Sequence, residues 1–463
     1  MEGPLDDTIA AISTAPGRSG TALVRISGGD ARAIGRALGC GDLEVRVATL
    51  VRVRHPDGAS LDKAIATLFA APSSYTGEDV VELSTHGGAL VPTLVLDAAL
   101  AAGARHAEPG EFTRRAFLNG RLDLVQVEAT ADLIDADSPA AHRAALFQLD
   151  GALSHRVEGL RTAAIELRAL LAYDIDFPDE DDGPVPRERI LEVAAGLRSR
   201  IRDLLRFAPE GERVRDGAMV VLAGAPNAGK SSIFNSLLGS QRAIVTDTPG
   251  TTRDAIEADI SIDGYPFRLV DTAGVRPDPE IIERMGIEVA RRYLERADVV
   301  LLCIEADRSP VEAEASLAEQ AVRAGATVVT VRTKADLAPD GAAGALALAQ
   351  GVAEAAPAVV ELPVSAVSGQ GVPELREALV AMSFAGLRGA GEPALVTRAR
   401  QRRALEAADR AIAAFEDAWG AGIPAEIADT HLAEASGALE AIVGITDVED
   451  VLGAIFESFC VGK

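Results

Sequence analysis

Hydrophobic positions along the chain follow three rhythms. Over roughly the first 120 residues, apolar runs of strand length (Thr21 to Gly28, Ala64 to Ala70, Val80 to Leu83) are punctuated by turn residues, and one Ala/Leu-rich helical stretch runs from Leu90 to Ala102. That mixture predicts an α+β domain. From Leu122 to about Ala172 apolar residues recur at helical spacing while Gly and Pro become scarce, which predicts a bundle of long helices. A Pro and six carboxylates in Asp174 to Gly183 end that pattern and read as a solvated acidic loop. Helical periodicity resumes from Pro186 to Phe207, buried strands alternate with helices from Ala218 to about Met382, and Ala/Arg/Glu-rich helices follow Pro393. A strand–helix domain with helical sequence on both sides predicts an insertion into a helical domain. The expected boundaries are 1–120 for the N-terminal α+β domain, 121–215 and 383–463 for the two parts of the helical domain, and 216–382 for an inserted domain with a mostly parallel sheet. The fold class is therefore multidomain α/β.

Composition narrows the picture. The chain has 463 residues, too many for one core. Hydrophobic residues make up 48% but aromatics only 4%, so the cores must be built from Ala, Leu, Val and Ile. There is no basic, then apolar, leader and no apolar run of membrane-spanning length, which predicts a soluble, cytoplasmic protein without membrane attachment. Cys40, Cys303 and Cys460 are too far apart in sequence for a CxxC metal or redox site, in keeping with a reducing compartment. A net charge of −25 argues against nonspecific coating of nucleic acid but leaves room for docking one folded RNA through a local Arg patch. Arg398, Arg400, Arg402 and Arg403 form the densest basic cluster, read either as such a patch or as a solvated helix face.

The sharpest chemical signal is Gly224-Ala-Pro-Asn-Ala-Gly-Lys230-Ser231, a full G-x-x-x-x-G-K-[ST] match placed after an apolar strand and before a helix. Such a loop wraps phosphates with backbone N–H groups, here those of Asn227 to Ser232. Lys230 neutralises the β and γ charges and the Ser231 hydroxyl binds Mg²⁺. Downstream, Ile256 to Ile262 and Pro266 to Val270 flank Asp263-Gly264 as a hairpin, and the second strand ends in Asp271-Thr272-Ala273-Gly274. That carboxylate can hold Mg²⁺ through water and the glycine N–H can meet a γ-phosphate. A buried strand, Val299 to Ile304, precedes Ala326 to Val331, which leads into Thr333-Lys334-Ala335-Asp336. The order matches the guanine-specificity segment of GTPases, in which the Asp takes two N–H groups of the base. Thr333 stands where Asn is usual, as in some small GTPases of the Rho class, which bears on guanine affinity. Ser365-Ala366, after the strand Val359 to Pro363, occupies the position that offers a backbone N–H to the guanine carbonyl. Gly250-Thr251-Thr252-Arg253-Asp254 falls where a first switch threonine completes Mg²⁺ coordination, within a loop, Ala243 to Asp254, that orders with the γ-phosphate. Val275 occupies the place of the water-orienting Gln of Ras-like GTPases, so another group must position the water.

Together with Glu283-Arg-Met-Gly-Ile-Glu288, Phe459-Cys-Val-Gly-Lys463, Arg25-Ile-Ser-Gly, Tyr75-Thr-Gly-Glu-Asp, His86-Gly-Gly and Gly110-Glu-Phe-Thr-Arg-Arg-Ala-Phe-Leu-Asn119, these motifs resemble the tRNA modification GTPases of the TrmE-Era-EngA-like superfamily along essentially the whole chain. The resemblance implies a K⁺ ion bound by Asn227, Thr246, Thr248 and Thr251 in place of an arginine finger. It also implies Mg²⁺ on Ser231 and Thr252, GTP contacts that include Thr246 and Thr252, and Glu283 as the catalytic, water-orienting residue. It further implies a folate-binding N-terminal domain that takes 5-formyl-tetrahydrofolate or a related folate at Arg25, Glu82 and Arg121. The chain would form a homodimer through that domain and a heterotetramer with an FAD- and NADH-dependent partner, MnmG (GidA). The reaction implied is installation of an aminomethyl-type group, such as carboxymethylaminomethyl, at C5 of the wobble uridine 34 of tRNA, with K⁺-activated GTP hydrolysis coupled to G-domain dimerisation. Read without the resemblance, Arg25, Glu82 and Arg121 are ordinary ion-pairing residues, and Glu283 is a helix-surface carboxylate. Cys460 is either a packed small hydrophobe, an incidental tail thiol, or a thiol at the modification site activated by Lys463. The alternative function is a ribosome-assembly or regulatory GTPase switch without modification chemistry.

Overall fold

The computed structural model describes residues 7–176, 185–239, 256–271, 292–337, 360–388, 395–445, 455, 456, 459, 461 and 462. By contacts the chain divides into two units, residues 1–131, 148–166 and 432–463, and residues 132–147 and 167–431.

In the first unit the strands β1 (Ile9–Ile12), β2 (Thr21–Ser27), β3 (Thr49–Arg54), β4 (Ser60–Phe69), β5 (Val80–His86) and β6 (Arg105–His106) pair in the order β3-β4-β5-β2-β1-β6. All neighbours are antiparallel except β1 and β6. The period-two pattern of β2, with Ala22, Val24 and Ile26 buried, turns one face onto a core shared with Val95, Leu96, Ala98 and Ala99 of the helix Val91–Ala101. Sequence pattern marked β2, β4, β5 and that helix. It did not mark β1, β3, β6 or the helices Ala31–Ala37 and Glu111–Leu118. β1 and β6 have only four and two residues, too few for a period to register.

The unit also contains the chain's last described residues. Leu124 and Val127 of the helix Leu124–Asp135 share a core with Phe456 and Phe459, and Val461 bridges Pro109. Gly462 has φ +99°, and a Cβ there would sit 2.4 Å from the Ile12 carbonyl, so no side chain fits. These contacts seat residues 461 and 462 beside β1 and the N-terminal end of the helix Glu111–Leu118.

At the centre of the first unit lies Arg115, 1% exposed. Its guanidinium donates to the Asp7 carboxylate at 2.6 Å, to Glu111 at 3.0 Å and to Glu78 at 3.1 Å, while Arg105 forks onto Glu111 at 2.6 and 3.1 Å. Burial pushes the Glu111 carboxyl up. Hydrogen bonds from Arg105, the Glu108 amide and Arg115 outweigh burial and leave it below the usual range.

The second unit holds the strand–helix domain. β7 (Ala218–Ala223), β8 (Ile256–Ile262), β9 (Tyr265–Asp271), β10 (Val299–Glu305), β11 (Thr327–Thr333) and β12 (Val360–Val364) lie in the order β12-β11-β10-β7-β9-β8. Every neighbouring pair is parallel except the hairpin β8-β9. Both faces are covered. Val220, Leu222, Leu301 and Cys303 pack with Ile233, Phe234 and Leu237 of the helix Lys230–Leu238 and with Leu375 and Leu379 of the helix Val372–Ser383. Val221, Ala223, Val300 and Leu302 pack on the opposite side with Ala321 of the helix Glu312–Arg323. Burial on both faces is why β7 and β10 read as continuous apolar runs. The same unit contains the helices Arg187–Leu205 and Ala399–Gly420, joined by Arg198 to Asp409 and Glu416 at 3.0 and 2.7 Å. Among the described residues no helix is long and apolar enough to cross a membrane.

Candidate functional site

The carboxyl ends of β7, β9, β10, β11 and β12 converge on one edge of the sheet, the edge where open α/β sheets bind ligands. β7 ends in Gly224, whose φ is +139° and whose missing Cβ would lie 2.3 Å from the Cys303 carbonyl of the neighbouring strand. Only glycine lets the chain leave the sheet there. Asn227 at φ +62° and Gly229 at φ +84° complete the turn into the helix Lys230–Leu238. The first-turn N–H groups of that helix have no intrahelical acceptor, and its dipole favours an anion at this end.

Lys230 is 6% exposed and donates to the carbonyls of Gly224 and Ala225 at 2.9 and 2.7 Å. An ammonium has three N–H donors, so the two loop carbonyls leave one for a phosphate oxygen. Burial pushes its pKa down, and the nearby Asp271 and Glu314 charges only partly oppose that. The Ser231 hydroxyl donates to Asp271 Oδ2 at 2.7 Å, and Asp271 is 1% exposed. A hydroxyl and a carboxylate in contact beside a phosphate loop form a hard-oxygen pair suited to Mg²⁺.

Thr333 occupies the place of the usual Asn. Buried at the end of β11, its Oγ1 donates to the Ala228 carbonyl at 2.8 Å, and its carbonyl accepts the Ala306 amide at 2.9 Å. The side chain thus ties the base segment to the phosphate loop. Lys334, at φ +58°, pairs with Glu305, and Asp336 is exposed on the short 3-10 turn Ala335–Leu337. Ser365 is buried at the end of β12, its Oγ accepting the Ser368 amide at 3.1 Å, with Ala366 beside it.

Asn227 through Ser232, Asp271, Thr333, Lys334, Asp336, Ser365 and Ala366 therefore stand on strand ends, turns and one helix start at the same sheet edge. Thr246, Thr248, Thr251, Thr252, Thr272, Ala273, Gly274 and Glu283 lie outside the described residues, as do Cys460 and Lys463. Sequence reasoning overlooked Glu314, whose buried carboxylate accepts the Ala225 amide at 3.4 Å. Its only sequence signal is a glutamate three residues into a helix, the capping position.

In the first unit, Arg25 and Glu82 face each other across β2 and β5 and form an ion pair at 2.9 Å. The Arg25 guanidinium lies over the rings of Tyr75 and Phe112, 5.3 and 5.5 Å from their centroids. Arg121 packs its stem beside Gly77, where a Cβ would approach its Cγ to 3.2 Å. Arg25 and Arg121 thus border the loop around Tyr75 to Gly77, and Glu82 pairs with Arg25. Burial pushes the Cys40 thiol up to about 11 and the Cys303 thiol up to about 12, so both are packing residues rather than nucleophiles. In the basic cluster, Arg398 pairs with Asp132 at 2.6 Å and Arg402 with Glu212 and Glu406 at 2.8 and 2.9 Å, which neutralises these two charges within the protein.

Two family descriptions match the chain, GTP-binding protein TrmE N-terminus over residues 8–121 and MnmE helical domain over residues 124–460. The chain is 46% identical over 459 residues to the tRNA modification GTPase MnmE of Azoarcus sp. (strain BH72), covering 99% of this chain and 98% of that protein. The chain belongs to the MnmE family of tRNA modification GTPases. It is accordingly a GTP hydrolase of tRNA modification. The MnmE protein of Neisseria gonorrhoeae (strain NCCP11945) is 41% identical over 457 residues, 98% of this chain and 99% of that protein. The G domain of the T. maritima FeoB iron transporter aligns with 36% of this chain and 98% of its own length at 27% identity, with a TM-score of 0.26. Membership in the MnmE family rests on the full-length relatives and not on that partial likeness.

Proposed function

We propose that this chain binds GTP on the loop Gly224 to Ser231 and hydrolyses it in a K⁺-activated cycle coupled to G-domain dimerisation. With an FAD- and NADH-dependent partner, MnmG (GidA), it uses that cycle to install an aminomethyl-type group at C5 of wobble uridine 34 of tRNA in the cytoplasm. The observation that carries the reading is the joint placement of Lys230 on its own loop carbonyls and Ser231 on Asp271.

In this reading the loop amides and Lys230 grip the β- and γ-phosphates. Ser231, which contacts Asp271, would hold Mg²⁺ together with Thr252, and the ion would supply positive charge to those phosphates. Asn227, exposed at the tip of the loop, would share a K⁺ ion with Thr246, Thr248 and Thr251, and that ion supplies positive charge to the leaving oxygens. Glu283 orients the attacking water in place of the glutamine that Val275 replaces. Asp336 takes the guanine edge, and Ala366 offers its N–H to the guanine carbonyl. In the N-terminal domain, the Glu82 carboxylate and the Arg25 guanidinium over two aromatic rings suit a flat heteroaromatic ring carrying N–H donors. A 5-formyl-tetrahydrofolate bound there with Arg121 would supply a one-carbon unit. Homodimerisation through this domain, Cys460 and Lys463 near the modification site, and the 216–382 domain as the moving part complete the proposal.

Nucleosides of tRNA from a strain lacking this chain should have lost the C5 aminomethyl-type group at the wobble uridine; an unchanged nucleoside profile by mass spectrometry would sink the modification reading. For the purified chain, replacing K⁺ by Na⁺ at equal ionic strength should lower GTP turnover about tenfold or more, the scale expected when one charge on developing oxygens is withdrawn. Equal rates in the two salts would remove Asn227 as a cation ligand.

A further inference from the structure

Glu314 belongs to none of the motifs that mark the nucleotide site, yet it is 1% exposed in the first turn of the helix Glu312–Arg323. Its carboxylate accepts two N–H groups of Arg308 at 2.9 and 2.6 Å, the Val311 amide at 3.0 Å and the Ala225 amide at 3.4 Å. The Val311 contact is the ordinary reach of a third-position glutamate to its own helix start. Helix capping explains neither the guanidinium fork onto this buried carboxylate nor the reach to the phosphate loop.

Ala225 is the residue after Gly224, whose backbone is pressed against Cys303, so its amide sits at the entrance of the phosphate loop. On the other side, Arg308 comes within 4.0 Å of Glu305, and Glu305 pairs with Lys334 of the base segment. The Arg308 carbonyl also accepts Arg332 Nη1 at 2.8 Å, and Arg332 pairs with Glu361 of β12. A line of charge-assisted contacts thus runs from the phosphate loop to the guanine-recognition strands. A carboxylate buried this deeply is expensive unless paired, and here the Arg308 hydrogen bonds hold its carboxyl below the usual range.

We propose that Glu314 and Arg308 are positioning residues for the nucleotide. Glu314 fixes the Ala225 amide and with it the entrance of the phosphate loop. Arg308 carries that constraint through Glu305 to Lys334, so that phosphate grip and base grip are set together. The proposal rests on the guanine-nucleotide reading of this site and adds to it two residues that touch neither phosphate nor base. It places their effect on nucleotide retention and not on the chemical step.

The test uses the full-length chain and a fluorescent GDP analogue. Glu314→Gln keeps shape and removes charge, and Arg308→Lys keeps charge and removes the fork. Each should raise the GDP dissociation rate and the KM for GTP about tenfold, the scale of one charge-assisted hydrogen bond, with kcat within about twofold of the parent. The double variant should be no worse than the worse single, because the pair acts as one unit. Arg213→Ala, which breaks the 2.6 Å pair with Asp298 at the opposite end of β10, serves as a destabilised control and should leave GDP dissociation unchanged.

Dissociation rates within twofold of the parent in the single variants would overturn the proposal. So would an additive double variant, a fall in kcat at constant KM, or a control that loses nucleotide as fast as Glu314→Gln. If Glu314→Gln does not fold, Arg308→Lys decides on the same criteria. A parent chain that retains no guanine nucleotide would overturn the site reading itself, an outcome distinct from variants that match a nucleotide-binding parent.

Discussion

Replacing Lys230 with Ala should lower the kcat for GTP hydrolysis by about 10²–10³-fold, the cost of removing one preorganised stabilising charge from a reacting phosphate. The geometry makes this a specific expectation. Lys230 is buried, and its ammonium is fixed by the Gly224 and Ala225 carbonyls at 2.9 and 2.7 Å. Little reorganisation is then needed when charge develops, and that preorganisation is the part of the effect that an added amine in solution cannot replace. Because burial already lowers the pKa of this amine, Lys230→Ala relieves a desolvation penalty. Thermal stability of the nucleotide-free protein should therefore hold or rise while activity falls. Single-turnover hydrolysis with melting curves on the same preparations checks both halves; a variant within tenfold of the parent rate would remove Lys230 from the catalytic machinery.

The second large effect falls on stability. Arg115→Met leaves Glu111 and Glu78 without the guanidinium that they share with Asp7, and removing one partner of a buried ion cluster costs about 3–5 kcal/mol. In the full-length chain this should appear as faster exchange of the β1 and β2 amides and as a fall on the order of 10 °C in the melting transition of that unit. The sign of the pH dependence follows from the carboxylates. Burial raises Asp7 and Glu111, but their arginine hydrogen bonds prevail and both carboxyls sit below their ordinary values of 3.8 and 4.5. Their contribution is present above those values and is lost as pH falls through the lowered folded-state pKa. The gap between parent and Arg115→Met should consequently be widest near neutral pH and close on acidification. Amide exchange measured at pH 7 and then stepwise to below pH 3.8 distinguishes this from a simple packing defect, for which the gap would not change.

Local pattern determined a good deal of this. The phosphate loop, the Asp-x-x-Gly strand end and the Thr-Lys-Ala-Asp segment are legible because each needs particular residue types at fixed offsets within one strand and the turn that follows it. The buried strands of the second unit are legible because burial on both faces forces continuous apolar runs. Thr333 shows where this stops. The substitution is visible in sequence, but its consequence is a hydroxyl donating to Ala228, 105 positions away.

What only the tertiary structure decided has the same character. Arg115 lies in a run of two arginines whose local pattern gives it no structural role, and it is buried because Asp7 and Glu78 arrive from distant segments to neutralise it. Arg398 and Arg402 read as part of a basic patch or as a solvated helix face, and the fold pairs them with Asp132, Glu212 and Glu406. Glu314 reads as a helix cap, yet it meets the phosphate loop from 89 positions further along the chain. Backbone shape and apolar periodicity depend on neighbours a few residues apart and are written locally. The fate of a charge depends on which opposite charge and how much water the fold brings to it, and in this protein those partners come from far along the chain.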